Sequence, residues 1–140
     1  MYKTYQPTQK QIKRNWHLLD AKDEVLGRIS TKIVTLLMGK QKPDYSRHMD
    51  SGDFVVVVNS EKIKVTGRKT DQKVYRSHSG YPKGFKEVSF AKMIEEHPER
   101  VVYHAVAGML PENRLKDKRL ARLKLIIGDK NPYQEKTQNG

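Results

Sequence analysis

The chain has no cysteine and no long apolar run, and these two absences exclude several classes of protein. Without cysteine there can be no disulfide, no thiolate nucleophile and no cysteine-ligated zinc, and the absence suits a reducing compartment. No stretch approaches the ~20 apolar residues that a membrane-spanning helix needs. The first residues, Met1-Tyr2-Lys3-Thr4, lack the apolar core of a signal peptide, so we expect neither secretion nor a membrane partner.

Catalytic and nucleotide-binding motifs are also missing. Gly39-Lys40 lacks the upstream glycine and the following serine or threonine of a phosphate-binding P-loop. No G-x-G-x-x-G follows a strand pattern, and no G-x-S-x-G nucleophile turn is present. The sequence therefore predicts a protein that is not an enzyme and needs no cofactor. A small phosphotransferase is the rival hypothesis, which tight binding of a mononucleotide without RNA would favour, and a DNA-binding regulator is a third.

His48, Asp50 and Asp53 form the cluster most similar to a metal site. Oxygen and imidazole ligands at close spacing in a loop can bind a metal ion. Aspartates that form a turn before a buried strand explain the same pattern without a metal, and we favour that interpretation, so no metal site is predicted.

Positive charge is in excess and unevenly distributed. The chain carries 28 Lys and Arg against 16 Asp and Glu, a net charge of +12. Residues 1–15, 61–86 and 114–125 are strongly basic, whereas residues 87–113 hold five glutamates. Self-repulsion of this kind opposes folding unless a polyanion neutralises it. Three basic segments on a slightly acidic body favour a surface that binds nucleic acid.

Apolar patterns predict one α/β domain whose sheet is mainly parallel. Strands are expected at Trp16–Asp20, at the β-branched run Phe54–Val58 and at residues 123–128, with short strands around a turn in residues 62–76. A helix capped by Asp23 should end at Gly39, a second should run from Ser89 to His97, and a third should run from Pro98 to Pro111. A basic helical stretch is expected near residues 114–123.

The sequence also predicts a division into three segments and a close contact at one glycine. Residues 1–15 should form a basic N-terminal extension, residues 16–128 the domain, and residues 129–140 a loose polar tail. Gly108 lies inside an otherwise periodic helix, where glycine costs ~1 kcal/mol relative to alanine. We therefore expect another backbone or RNA to approach it closely.

Residues 68–86 interleave basic side chains with tyrosine, histidine and glycine. Basic groups can neutralise phosphates and aromatic rings can stack on unpaired bases, while glycine lets backbone approach a phosphate. The alternative is a solvated hairpin that its tyrosines attach to the core. We favour nucleic-acid binding.

At this point a series of motifs resembles a known family. The motifs are Trp16-x-x-x-Asp20-Ala21, Leu26-Gly27-Arg28, Gly39-Lys40-x-Lys42, His48-x-Asp50-x-Gly52-Asp53, His78-Ser79-Gly80-Tyr81-Pro82 and Gly108-Met109-Leu110-Pro111-x-Asn113. Together they resemble the family of the thirteenth protein of the large ribosomal subunit, bacterial type, over roughly residues 14–128.

The resemblance implies a three-layer α/β/α domain that binds large-subunit ribosomal RNA, supports early subunit assembly and catalyses nothing. It also implies neighbouring large-subunit proteins as partners, no homo-oligomer, and a place in the ribosome of the cytoplasm or of an organelle. This chain departs from the family at Arg47, Arg76 and Lys83, where proline, an aromatic residue and glycine are usual. It also departs at residues 131–135, where a His-Pro-His motif is usual.

Charge, interleaving and resemblance together give a set of predicted RNA-binding residues. They are Lys3, Lys10, Lys13, Arg14, Lys40, Lys42, Arg47, His48, Arg68, Lys69, Lys73, Tyr75, Arg76, His78, Tyr81, Lys83, Lys86, Arg114, Lys116, Lys118, Arg119 and Arg122.

Overall fold

A three-stranded parallel sheet lies at the centre of the computed structural model, which describes residues 3–138. Its strands are β1 (Trp16–Asp20), β2 (Phe54–Val58) and β5 (Leu123–Leu125), in the order β1-β2-β5. The central strand pairs Phe54 with Trp16 on one side and Val55 with Leu123 on the other. Val55, Val56 and Val57 are fully buried, as a continuous β-branched run predicts for a strand covered on both faces.

Six helices and a hairpin complete the described chain. The helices are α1 (Leu26–Met38), α2 (Lys69–Gln72), α3 (Phe90–Glu96), α4 (Pro98–Met109), α5 (Lys116–Ala121) and α6 (Gln134–Gln138). Single 3₁₀ turns occupy Gln9–Gln11 and Ser60–Lys62, and strands β3 (Val74–His78) and β4 (Phe85–Ser89) form an antiparallel hairpin. None of these helices is long and apolar enough to cross a bilayer.

Helices α1 and α4 supply most of the core that covers one face of the sheet. Ile29, Ile33 and Leu37 of α1 are buried, as are Val102 and Val106 of α4. Their spacing of four residues places them on one side of each helix, which confirms the predicted amphipathic patterns. The sheet, its mainly parallel order and the α/β class are as predicted.

The ends of the helices confirm three predicted caps and correct a fourth. Gly39 ends α1 with φ of +77°, and Ser89 Oγ accepts the N–H of Lys92 at 3.4 Å. Pro98 occupies the first turn of α4. Asp23 does not cap α1: its own φ is +60°, and its carboxylate lies 2.7 Å from Lys64 Nζ. Val25 stands at the cap position because its backbone bridges to Lys64 instead.

The region of residues 60–89 differs most from expectation. Residues 62–65 form one bridge rather than a strand, and a short helix, α2, precedes β3. The partner of β3 is β4, which the sequence did not predict because Phe85 and Val88 are its only large apolar residues. Backbone pairing, which does not depend on side-chain pattern, defines this strand.

Within residues 129–138, where the sequence predicted a loose polar tail, the chain packs on strand β1 through the short helix α6. Trp16 and Phe54 point away from α1, and their rings stack with centroids 4.3 Å apart. Tyr133 stacks on Trp16 at 5.4 Å, and Lys136 Nζ of α6 lies 5.1 Å from the same ring. Helix α6 therefore packs on β1, on the side of the sheet that carries Trp16 and Phe54. The sequence missed it because a polar helix docked by one tyrosine has no apolar periodicity.

The prediction that another part of the backbone approaches Gly108 is wrong for the described residues. Gly108 is exposed on α4, and a Cβ added to it would have no neighbour within 4 Å among residues 3–138. A close approach does require glycine at Gly52, because its Cβ would lie 1.6 Å from the carbonyl oxygen of Leu37.

These two glycines should respond oppositely to alanine. Gly108→Ala should raise the free energy of unfolding by about 1 kcal/mol, since alanine favours a helix and meets nothing there. Gly52→Ala should lower it by about 1–3 kcal/mol or more, since backbone must move. Urea unfolding of both variants measures the difference, and a destabilised Gly108→Ala variant would contradict the structure.

Candidate nucleic-acid interface

Asp53 anchors the loop that joins α1 to β2. Its side chain is only 1% exposed, yet it is the centre of a set of hydrogen bonds and ion pairs. It accepts from Lys42 Nζ at 2.6 Å, His17 Nε2 at 2.8 Å, Gln41 Nε2 at 2.9 Å and the backbone N–H of Asn15 at 3.1 Å. A buried carboxylate of this kind is stable only because donors surround it. Asp53 thereby fixes the loop to the segment that precedes β1.

Asp50 ties the same loop to the chain after α5. Its two carboxylate oxygens accept from Arg122 Nη1 at 2.6 Å and Nη2 at 2.5 Å, a bidentate pair. Arg122 Nη2 also donates to the carbonyl of Leu37 at 3.1 Å. Arg14 joins from the N-terminal side, donating to the carbonyls of Gly52 and Asp50 at 2.6 and 2.9 Å. We call Asp50, Asp53 and their partners the loop clamp.

The electrostatics of the loop clamp keep both carboxylates ionised. Burial by itself raises the pKa of Asp50. The hydrogen bonds and charge of Arg122, followed by the charges of Arg14 and Arg119, lower this pKa by more than burial raises it. Burial likewise raises the pKa of Asp53, and hydrogen bonds from Lys42, His17 and Asn15 outweigh it. The net pKa of each carboxylate lies below its usual value. The two aspartates therefore act as fixed anions that hold cations in place.

The loop clamp brings together predicted residues that are far apart in sequence. A pocket of about 320 Å³ is lined by Arg14, His48 and Lys118, which come from three different segments. Lys40 and Arg47 lie on the same loop and are exposed. We call Arg14, Lys40, Arg47, His48 and Lys118 the arm-loop surface.

Some of the predicted residues are buried or half-buried in the fold. Lys42 donates to Asp53 and to the carbonyls of Lys13 and Ser51, and Arg122 is 6% exposed in its pair with Asp50. Both side chains therefore stabilise the loop clamp, and their contact with RNA stays a prediction. Lys116 is half-buried and paired with Glu112, while Arg119 is 1% exposed.

The hairpin carries the second group of predicted residues. Arg76, His78, Tyr81, Lys83 and Lys86 are exposed on it, and Arg68 and Lys69 line a shallow pocket with the half-buried Lys73 beside α2. We call these eight residues the hairpin surface. Tyr75 differs from its neighbours, because its ring packs 5.5 Å from His104 of α4 and burial raises its pKa. Tyr75 attaches the hairpin to the body rather than presenting a ring to bases.

Lys83 has a backbone conformation that glycine normally provides. Its φ is +60° in the tight turn between β3 and β4, a region that costs an L-residue about 1 kcal/mol. The next residue, Gly84, is buried, and its Cβ would lie 2.1 Å from Ser79 Oγ. The turn therefore presents a lysine at its tip at a cost in backbone strain.

The remaining predicted residues lie outside both surfaces. Lys3, Lys10 and Lys13 are exposed along the N-terminal segment, where Pro7 is buried and Ile12 half-buried, and Arg114 is exposed before α5. The metal hypothesis is not supported by the geometry, because Asp50 and Asp53 face cations. Residues 3–138 contain no group of three or more histidine and carboxylate side chains placed to hold a metal ion. The sequence missed Asn15 and Gln41 as partners of Asp53, since nothing in their spacing signals that contact.

Comparison with known proteins shows that this basic α/β domain is a ribosomal protein domain. The family described as "Ribosomal protein L13" matches residues 14–132. The "Large ribosomal subunit protein uL13" of Roseiflexus castenholzii is 52% identical over 131 residues, covering 94% of this chain and 90% of that protein. The protein of the same name from Synechococcus elongatus is 50% identical, with 96% and 89% covered. The chain belongs to the ribosomal protein L13 family, whose members are structural components and not enzymes, as the motifs predicted.

The loop clamp predicts an acid-sensitive fold. A carboxylate whose folded pKa lies below its ordinary value of 3.8 stabilises the protein above that value, and the contribution is lost as the pH falls through the folded pKa. The free energy of unfolding should therefore fall steeply below about pH 4. Asp53→Asn should lower stability at pH 7 by about 1–3 kcal/mol and flatten this pH dependence. Exposed Asp117→Asn is the control, and an equally steep acid loss in both variants would contradict the assignment.

Proposed function

We propose that this protein is a structural constituent of the large ribosomal subunit that binds large-subunit ribosomal RNA and supports early subunit assembly. Its place is the ribosome of the cytoplasm, or of an organelle if the source is organellar, and its other partners are neighbouring large-subunit proteins. The observation that carries the proposal is the grouping of exposed basic residues into the arm-loop and hairpin surfaces, in a chain of the L13 family.

The two surfaces suit RNA because they combine charge with fixed geometry. Exposed lysines and arginines neutralise phosphates and release counterions, so affinity should fall steeply with salt. Different elements position the two surfaces, so one protein can hold two RNA segments in a defined relation. Tyr81 is 75% exposed, and its ring is available to stack on an unpaired base.

Sedimentation of a cell extract with detection of this protein tests the role directly. Comigration with the large subunit after a high-salt wash is the expected result. Fractionation with the small subunit or with soluble proteins would overturn the proposal. The affinities for folded large-subunit RNA and for duplex DNA at one salt concentration then separate RNA binding from general affinity for polyanions.

The hairpin surface should be needed for incorporation and not for folding. Arg76→Ala with Lys83→Ala should weaken incorporation into large subunits, because two exposed phosphate contacts are lost. Exposed substitutions usually change the free energy of unfolding by within about 0.5 kcal/mol each, so the melting temperature should barely change. The double variant also removes the exposed pair of Arg76 with Glu87, whose atoms lie 3.3 Å apart.

The matched control is Lys92→Ala with Arg100→Ala, which removes the same charge from the acidic region, where both residues are exposed. It should incorporate as the wild type does. Equal losses in both double variants would show that incorporation follows total charge and not the hairpin surface. A large drop in the melting temperature of the hairpin variant would show that Arg76 and Lys83 pack the fold.

The N-terminal segment should add phosphate contacts without supporting the core. Deleting residues 1–12 leaves Arg14 and its bonds to the loop clamp in place, so unfolding should stay cooperative. The plot of log affinity for large-subunit RNA against log salt should become shallower by up to about two units if Lys3 and Lys10 each neutralise a phosphate. An unchanged slope would show that this segment does not contact RNA.

A further inference from the structure

A pocket beside the arm-loop surface has a buried arginine at its base. The pocket measures about 400 Å³ and lies between the loop after α1 and the residues that join α4 to α5. Arg119 lines it although only 1% of that residue is exposed. Nε and Nη1 of Arg119 are buried without a hydrogen-bond partner among residues 3–138. A guanidinium stays charged in proteins, so its burial without a partner is unfavourable.

The carboxylates near this guanidinium are already in use. Burial has the largest effect on the pKa of Asp50 and raises it, and the charges of Arg122 and Arg14 lower it. Arg119 also lies close enough to Asp50 for its charge to lower this pKa, by less than either of them. Both oxygens of Asp50 are within 2.6 Å of Arg122. Glu112, beside the pocket residue Pro111, is paired with Lys116. One carboxylate thus faces three guanidinium groups, and positive charge remains in excess.

The walls of the pocket add further donors. Lys40 and Arg47 line it with exposed side chains that no described acid pairs. Asn113 accepts the N–H of Leu115 through Oδ1 at 3.0 Å, which leaves its amide N–H groups as donors. These donors together suit an anion that has several acceptor oxygens. A phosphate group supplies these, since its geometry matches the planar fork of arginine.

We propose that this pocket binds one phosphate of an RNA backbone, with Arg119 as its central contact and Lys40 and Arg47 at its rim. The inference rests on the proposed RNA-binding function and narrows it to one site. A phosphodiester fits better than free phosphate because Lys40 and Arg47 belong to the arm-loop surface as well. A nucleotide chain that leaves the pocket continues along a surface of the same charge.

The side chain of Arg119 gives a direct readout in the full-length protein. Its Nε–Hε resonance in a ¹⁵N spectrum is identified by its absence from Arg119→Lys. Inorganic phosphate, added at constant ionic strength against chloride, should shift this resonance saturably. Absence of any shift would overturn the proposal, because an unpaired guanidinium that an anion can reach must respond to it.

RNA affinity then decides the source of the phosphate. Arg119→Met should weaken binding to large-subunit ribosomal RNA by roughly tenfold to a hundredfold, as expected for one charge-assisted contact. The salt slope should become shallower by about one unit. The melting temperature of the free protein should hold or rise, because an apolar side chain replaces a buried unpaired charge. Arg119→Lys should recover part of the affinity.

The matched control is Arg100→Met, which removes one exposed charge from α4 and should leave RNA affinity nearly unchanged. If Arg119→Met binds RNA as the wild type does, the RNA-phosphate site is overturned while the proposed function stands. A phosphate-induced shift in that case would make the pocket a site for free phosphate. A large fall in the melting temperature would mean that Arg119 acts only inside the fold. Failure of the wild type to bind the RNA would instead overturn the proposed function.

Discussion

The pairing of two buried or half-buried carboxylates with surrounding cations is the interaction on which the functional end of this protein depends. Asp53, at 1% side-chain exposure, and Asp50 hold the segment before β1, the loop before β2 and the segment before β5 in one arrangement. Removing one member of such a pair leaves an uncompensated charge and destabilises the fold. The parallel sheet brings the N-terminal ends of its strands to the same edge, and the loop clamp lies there.

Basic residues in this chain therefore have two physical roles that their type does not distinguish. Arg122 and Lys42 point inward and neutralise aspartates, whereas Arg47 and Lys118 remain exposed. The inward group positions the outward group, because Lys42 shares a loop with Arg47, and Arg122 directly follows helix α5, which carries Lys118. A charge surplus of +12 thus divides into a structural part and a part that is free for a polyanion.

Much of the fold could be predicted from local pattern. The run Phe54–Val58, the apolar spacing of α1 and α4, and the caps at Gly39 and Ser89 follow from backbone geometry and burial, and each was confirmed. Strand β4 and helix α6 could not be predicted, since β4 depends on pairing with β3 and α6 on the stacking of Tyr133 on Trp16. Gly108 shows the opposite error, because a helix glycine implied a neighbour that the chain does not provide.

The sequence by itself determined the class of protein: a basic α/β domain without catalytic motifs, whose ordered blocks identify the L13 family. Composition, periodicity and motif order are properties of the chain, so they can be read without coordinates. Only the tertiary structure decided which cations face inward, which carboxylates hold them, and that Arg119 lies buried without a hydrogen-bond partner among the described residues. Those facts depend on contacts between residues such as Asp50 and Arg122, 72 positions apart, which only folding brings together.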